Sequence, residues 1–127
     1  MASLVSLVGK LNFLLNKSAI GIDIGGTTTK FGIVNADGKI LQQDRISSTK
    51  YEDIKEFIDE LATKLLPLIQ QHGGNNNFIG IGVGAPNGNY YTGTIEYAPN
   101  LNWKGIVPIA SLFIVSKNNN YKKLMTS

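Results

Sequence analysis

The sequence predicts an α/β fold in which three antiparallel strands are followed by a helix and a strand parallel to the first. Three observations predict it. Two short apolar runs, residues 19–24 (AIGIDI) and 78–83 (FIGIGV), are bounded by glycine and other turn residues, as buried strands are. Between them Ile54, Phe57, Ile58, Leu61, Leu65, Leu68 and Ile69 recur at the spacing of one helix face. Asn35-Ala36-Asp37-Gly38 supplies residue types that tolerate positive φ and so reverses the chain between two further extended segments.

In chain order, residues 19–24 form a strand that meets the Gly25-Gly26 pair, residues 30–35 resume strand character, and residues 39–47 return as their partner. Thr49 and Glu52 have the spacing of a capping box, which predicts the helix start there. Pro67 is expected to kink the last turn, and Gly73 and Gly74 to close it, with residues 75–77 as loop. A strand at 78–83 that returns to the same sheet makes a crossover, a connection that is nearly always right-handed. Residues 84–88 read as irregular backbone. Residues 90–91 and 94–97 are expected to pair as a small hairpin around Thr92-Gly93. Residues 107–113 open a second helix, with Pro108 acceptable in its first turn. No internal repeat occurs.

The chain has 127 residues, 43% hydrophobic and 17% charged, which fits one domain with a real core. It has no cysteine, so disulfides and thiolate metal sites are excluded, and a reducing cytoplasm is the compatible setting. The net charge of +3 suggests a polyanion partner until it is located. Residues 18–112 hold seven Lys/Arg against nine Asp/Glu, a net of −2, so the basicity lies in the flanks. No stripe of arginine and aromatic residues accompanies it, and nucleic-acid binding is not expected. The apolar stretch 4–15 is broken by Ser6, Gly9, Lys10 and Asn12 and is too short to span a bilayer, so no membrane role is expected. It has no basic leader region either, and reads as a short amphipathic or poorly ordered extension.

Asp23-Ile24-Gly25-Gly26-Thr27-Thr28-Thr29-Lys30 is where chemistry concentrates. Two glycines let backbone N–H groups approach an anion without a Cβ in the way. Three hydroxyls add donors, and Lys30 adds positive charge. Asp23, at a strand end, can hold Mg²⁺ through water, since that ion keeps much of its hydration shell. The Walker A spacing and the dinucleotide fingerprint are both absent. A strand-turn-strand hairpin with no ligand fits the same composition equally.

The stretch AIGIDIGGTTTKFGIVNADGKIL resembles the first phosphate-binding motif of the actin-like ATPase and sugar kinase superfamily. FIGIGVGAPNGNYYTGTIEYAPNLNWKGIVPIA is similar to the corresponding region of ROK proteins, glucokinases among them. The two lie in the family's order, separated by one helix, and together cover residues 19–112. The resemblance implies a ribonuclease H-like half of a two-lobed kinase. It further implies a metal-placing role for Asp23 and ATP phosphate contacts for Gly25, Gly26, Thr27 and Thr28, with Lys30 at the motif's lysine. Sugar pockets of the family lie between the lobes. The loop after the second apolar strand borders them, which marks Gly84, Pro86 and Asn87, and Asn100 is the candidate for a sugar contact in APNLNW. ATP and Mg²⁺ are the implied cofactors and a hexose, glucose first, the implied substrate. Full-length members often form homo-oligomers.

Each candidate has a plainer reading. Gly84 and Pro86 can simply shape a loop, Asn100 can cap a turn, and Trp103 can be core. His72 sits at a helix end and reads as a surface residue near the helix dipole. Asp37, Asp44, Asp53 and Asp59 read as solvated.

The chain also departs from the family. The catalytic aspartate of ROK kinases follows the next strand, in a motif resembling TNDANAA, and no such motif occurs here; the Cys- and His-containing zinc motif is likewise absent. Residues 113–127 read as an unrelated or out-of-frame tail, and residues 1–18 as an atypical extension of the kinase lobe at 19–112. The polypeptide is therefore expected to be an incomplete kinase that does not phosphorylate a sugar alone. A non-catalytic nucleotide-binding remnant and half of a split kinase are the alternatives. A ROK-type regulator is a lesser one, because the eighteen residues before Ala19 are too few for a helix-turn-helix domain.

Overall fold

A computed structural model of the chain describes residues 16–114. Strand β1 (Ser18–Ile24) alternates as half-buried strands do. Ser18, Ile20, Ile22 and Ile24 face the core, and Ala19, Gly21 and Asp23 face the other way. A turn at Gly25–Thr27 leads into β2 (Thr28–Val34), which starts two residues earlier than expected because Thr28 and Thr29 pair with Ser47 and Ile46. The register sets Ile22 opposite Phe31 and Ile20 opposite Ile33. At the next reversal Asn35 Oδ1 accepts the N–H groups of Asp37 and Lys39 at 3.0 and 2.9 Å, and Gly38 takes φ +81°. Strand β3 (Ile40–Ser47) follows at the sheet edge, and only Ile46 of it is buried.

Helix α1 (Ile54–Gln71) carries the apolar stripe, with Phe57, Ile58, Leu61, Ala62, Leu65, Leu68 and Ile69 all buried. Its N-cap is Asp53, whose carboxylate accepts Lys55 N–H at 2.9 Å. This corrects the capping box expected at Thr49 and Glu52. Ser47 Oγ accepts the Thr49 and Lys50 N–H groups and shares a hydrogen bond with the Thr49 hydroxyl, each at 3.1 Å, so Thr49 belongs to the turn that leaves β3. The helix continues through Pro67 to Gln71. Gly74 N–H then reaches back to Ile69 C=O at 2.8 Å, with Gly73 and Gly74 both at positive φ, the closure their sequence implies.

A 3₁₀ turn (Asn75–Asn77) delivers β4 (Phe78–Gly84), parallel to β1 as expected. The main sheet has the order β3-β2-β1-β4. Its inner face and α1 form one hydrophobic cluster. Each fully buried Leu, Ile or Phe there contributes about 1.5–3 kcal/mol of transfer free energy.

A second, three-stranded sheet was not legible in full. It comprises β5 (Gly88–Asn89), β6 (Thr94–Glu96) and β7 (Ile106–Val107), all antiparallel. The hairpin exists, but Tyr90 and Tyr91 lie in its connection rather than in a strand. Asn89 Oδ1 bonds the Tyr91 and Thr92 N–H groups and closes the turn earlier. Val107 belongs to β7, so helix α2 (Ile109–Ile114) starts after Pro108. The boundary expected between Leu112 and Phe113 falls inside α2, whose Phe113 is buried. The extension at 1–15 and the tail beyond 114 lie outside the described residues.

Candidate functional site

The sequence-selected residues converge on the C-terminal ends of the parallel strands β1 and β4. Open α/β sheets bind ligands at that end. Asp23 is in register with Gly84 on one side and with Lys30 on the other. Asp23 Oδ1 lies 3.8 Å from the place a Cβ on Gly84 would occupy, so Gly84 keeps space beside the carboxylate. Lys30 is in turn opposite Arg45 on β3. Asp23, Lys30 and Arg45 thus form one exposed charged row across three strands, on the face away from α1. Arg45 was not singled out from sequence. Its partner is set by the register that the Asn35–Gly38 reversal imposes, which a motif search does not read.

The β1–β2 turn is tied down at both ends. Gly25 N–H donates to Thr28 C=O at 3.0 Å, and Ser48 N–H donates to Thr27 C=O at 2.9 Å. A Cβ on Gly25 would sit 2.7 Å from Thr28 O, a backbone collision, so this turn requires glycine there. Thr27 is exposed and Thr28 half-buried, both at the surface of the turn. Thr29 is different. It is fully buried and its hydroxyl bonds Ser48 Oγ at 2.7 Å. Only two of the three hydroxyls expected to face an anion therefore remain at the surface.

Asn100 comes to this turn from far along the chain. A Cβ on Gly26 would lie 3.3 Å from Asn100 Cβ and 3.4 Å from its carbonyl oxygen. The second glycine thus makes room for the loop carrying Asn100. That loop is held by its buried residues Ala98, Leu101 and Trp103. Trp103 Nε1–H donates to Tyr51 C=O at 3.1 Å, and Asn102 Nδ2 donates to Thr49 C=O at 2.9 Å. Trp103 is core, as its plainer reading held, and the Asn100 side chain stays exposed.

Asn87 is placed otherwise. Its Nδ2 donates to Glu96 C=O at 3.0 Å and Tyr97 C=O at 3.1 Å, with φ +56°. The amide nitrogen of this expected sugar contact is engaged in closing the second sheet. Pro86 is half-buried in the connection just before it. His72 caps α1, its Nε2 3.0 Å from Gln42 Oε1, at the level of Ile20 and Ile33 and away from the turn.

No group of three or more His, Cys, Asp or Glu that could hold a metal occurs among the described residues. Asp23 alone fits an ion held by one carboxylate, water and the ligand's own phosphates, the usual manner for Mg²⁺, and does not fit an all-protein cage. No helix of the described residues is long and apolar enough to cross a membrane.

The pattern that defines the ROK family matches residues 19–118, six residues past the expected boundary at 112. A glucokinase from Halalkalibacterium halodurans is 32% identical over 87 residues, 67% of this chain and 26% of the relative. Three solved structures share the fold. A ROK family glucokinase from Streptomyces griseus, in complex with glucose and AMPPNP, aligns over 76% of this chain and 29% of its own, at TM-score 0.63 and 23% identity. A ROK hexokinase from Thermus thermophilus aligns over 85% and 33%, at 0.62 and 21%. A ROK family transcriptional regulator, a homologue of the E. coli MLC protein, aligns over 91% and 31%, at 0.69 and 11%. The chain thus spans about a quarter to a third of the length of these relatives. At such identities the structural likeness establishes the fold, the ribonuclease H-like α/β domain that the resemblance implied, in partial form, and fold alone does not separate kinases from regulators.

Proposed function

The chain belongs to the ROK family, and we propose that it carries the phosphate-holding half of an ATP-dependent hexose kinase, with glucose as the first candidate substrate. One observation carries this reading: Gly26 of the turn and Asn100 of the distant loop are in contact range, while Asp23 lies beside Gly84. A phosphate-binding turn and a sugar-bordering loop at one end of one sheet are what phosphoryl transfer to a sugar requires, because the reaction depends on positioning and electrostatics.

The roles assigned in this reading are as follows. Backbone N–H groups of the Gly25–Thr28 turn and the Thr27 and Thr28 hydroxyls donate to phosphate oxygens. Lys30 offsets their charge, and Asp23 orients Mg²⁺ through water. That ion, when bound with ATP, neutralises charge on the phosphates. Gly84, Pro86 and the Asn100 side chain border the sugar. Asn87 acts indirectly, by fixing the connection that follows Gly84. The lobe at 19–112 binds without catalysing. In-line attack needs a base and a held sugar hydroxyl, and the TNDANAA-like motif that carries the base in the family does not occur in this sequence.

Calorimetric titration of the full chain with Mg²⁺-AMPPNP tests this. Binding should be measurable near millimolar, about −4 kcal/mol, should require Mg²⁺, and should weaken about tenfold in Lys30→Ala and in Asp23→Asn. A chain folded by circular dichroism that binds no nucleotide would sink the reading. Glucose phosphorylation by the purified chain would sink the claim that the lobe does not catalyse alone.

A further inference from the structure

The strand register arranges the outer face of the main sheet, the face away from α1, in rows. One row is Gly84, Asp23, Lys30 and Arg45, across β4, β1, β2 and β3. Nearer the Gly25–Thr28 turn, Thr28 stands opposite Ser47, two positions and about 7 Å along the strands from Lys30 and Arg45. On the other side lie Gly82, Gly21, Gly32 and Gln43, so three of those four positions carry no side chain. Asp44 adjoins Arg45 in sequence, but it is opposite Phe31 and so belongs to the α1 side. Asp23 is therefore the one carboxylate of these rows, set against two cations, and Lys30 is the one it faces. Lys30 and Arg45 are directly opposite each other and both exposed. Like charges so placed, with Cβ atoms about 5 Å apart, repel. An anion held between them turns that repulsion into attraction for both.

We propose that Arg45 and Lys30 act together as a two-cation clamp on the phosphate chain of the nucleotide, which makes Arg45 a phosphate-binding residue contributed by β3. The inference rests on the kinase reading for the ligand and on the register for the clamp. Both side chains are long and end in cations. About 7 Å of strand separates them from Thr28, so their charged ends are within reach of a phosphate that the turn amides hold. The two groups differ in what they offer. A guanidinium makes two parallel N–H···O bonds to one phosphate, whereas an ammonium is a compact point charge. Asp23, when it orients Mg²⁺, no longer offsets Lys30, and both cations are then left to the phosphates. The motif that carries Lys30 lies on β1 and β2, so Arg45 joins the site only through the pairing of β2 with β3.

Calorimetric titration of the full chain with Mg²⁺-AMPPNP, and separately with inorganic pyrophosphate and Mg²⁺, tests the clamp. Arg45→Gln should weaken both about fivefold, the scale of an exposed charge contact. Arg45→Lys keeps the charge and should recover part of that loss. The double variant with Lys30→Ala should lose less than the product of the two single losses, as residues that share one partner do. Lys39→Gln, just before the far end of β3, should leave both affinities unchanged. The urea midpoint of unliganded Arg45→Gln should not fall, because the change removes a like-charge pair. A fall would make Arg45 a support of the sheet and overturn the proposal, and so would single losses that multiply independently. The two readings fail separately. Pyrophosphate binding that needs Arg45, without AMPPNP binding, refutes the kinase reading alone. AMPPNP binding that is indifferent to Arg45→Gln refutes the clamp alone. A folded chain that binds neither refutes both.

Discussion

Trp103 is one of the buried anchors of the loop that carries Asn100, and its removal has a calculable cost. It is the single tryptophan of the chain and is 4% exposed. Its ring centroid lies 4.4 Å from that of Phe57, and its indole N–H donates to Tyr51 C=O at 3.1 Å. Trp103→Ala forfeits the burial of a large ring and leaves a cavity beside Phe57, a loss of about 3–5 kcal/mol. Within that sum the hydrogen bond accounts for about 1 kcal/mol, and the ring pair for about 0.5–1.5 kcal/mol. Trp103→Phe keeps a ring but no donor. The Tyr51 carbonyl is then left with Asn102 Nδ2 at 3.5 Å, too long to replace the lost bond. A cost of about 1–2 kcal/mol is expected for that change. Urea unfolding followed by far-ultraviolet circular dichroism measures both variants, and the intrinsic fluorescence of Trp103 gives an independent midpoint for the parent chain. If Trp103→Ala costs less than about 0.5 kcal/mol, the range of ordinary surface substitutions, the loop is not held by this side chain and the reasoning fails.

Two further outcomes follow from the same core. Asp53→Ala should destabilise the chain by about 1 kcal/mol, as loss of an N-cap does, whereas Thr49→Ala should cost clearly less, and equal costs in urea titrations would restore the capping box at Thr49. Burial raises the Tyr51 phenol above its ordinary value of 10.0, and the Glu60 carboxylate adds to the rise. The neutral phenol is the favoured form in the fold, so its contribution to stability is fully present below about pH 10 and is lost as pH rises through the higher folded value. A spectrophotometric titration should find one tyrosine ionising late, and Glu60→Gln should bring it only part of the way back, because burial is the larger cause; a late tyrosine that persists in Tyr51→Phe would assign the shift elsewhere.

Much of the architecture was legible because it is local. The Ile20–Ile22–Ile24 alternation, the α1 stripe from Ile54 to Ile69 and the glycine closure at 73–74 depend on neighbours a few residues apart, and pattern reads such neighbours directly. The errors arose where two local partners competed. Ser47 and Asp53 divided the groups that a capping box would have joined, and Asn89 closed the hairpin turn before Tyr90 could pair. Strand β7 has two residues, too few for any period.

The sequence by itself determined the α/β class, the strand-helix-strand order, the family and the two stretches from which a site is built. Tertiary structure alone decided how those stretches meet. It put Asn100 against Gly26 across more than seventy residues of chain. It turned Thr29 inward to Ser48, engaged the Asn87 amide in the hairpin, and aligned Arg45 with Lys30. The physical reason is that such contacts are fixed by register and by packing around residues like Trp103, Phe57 and Leu101, whose partners lie far away in sequence. A motif names the atoms available for chemistry, and only the packed core sets the distances between them.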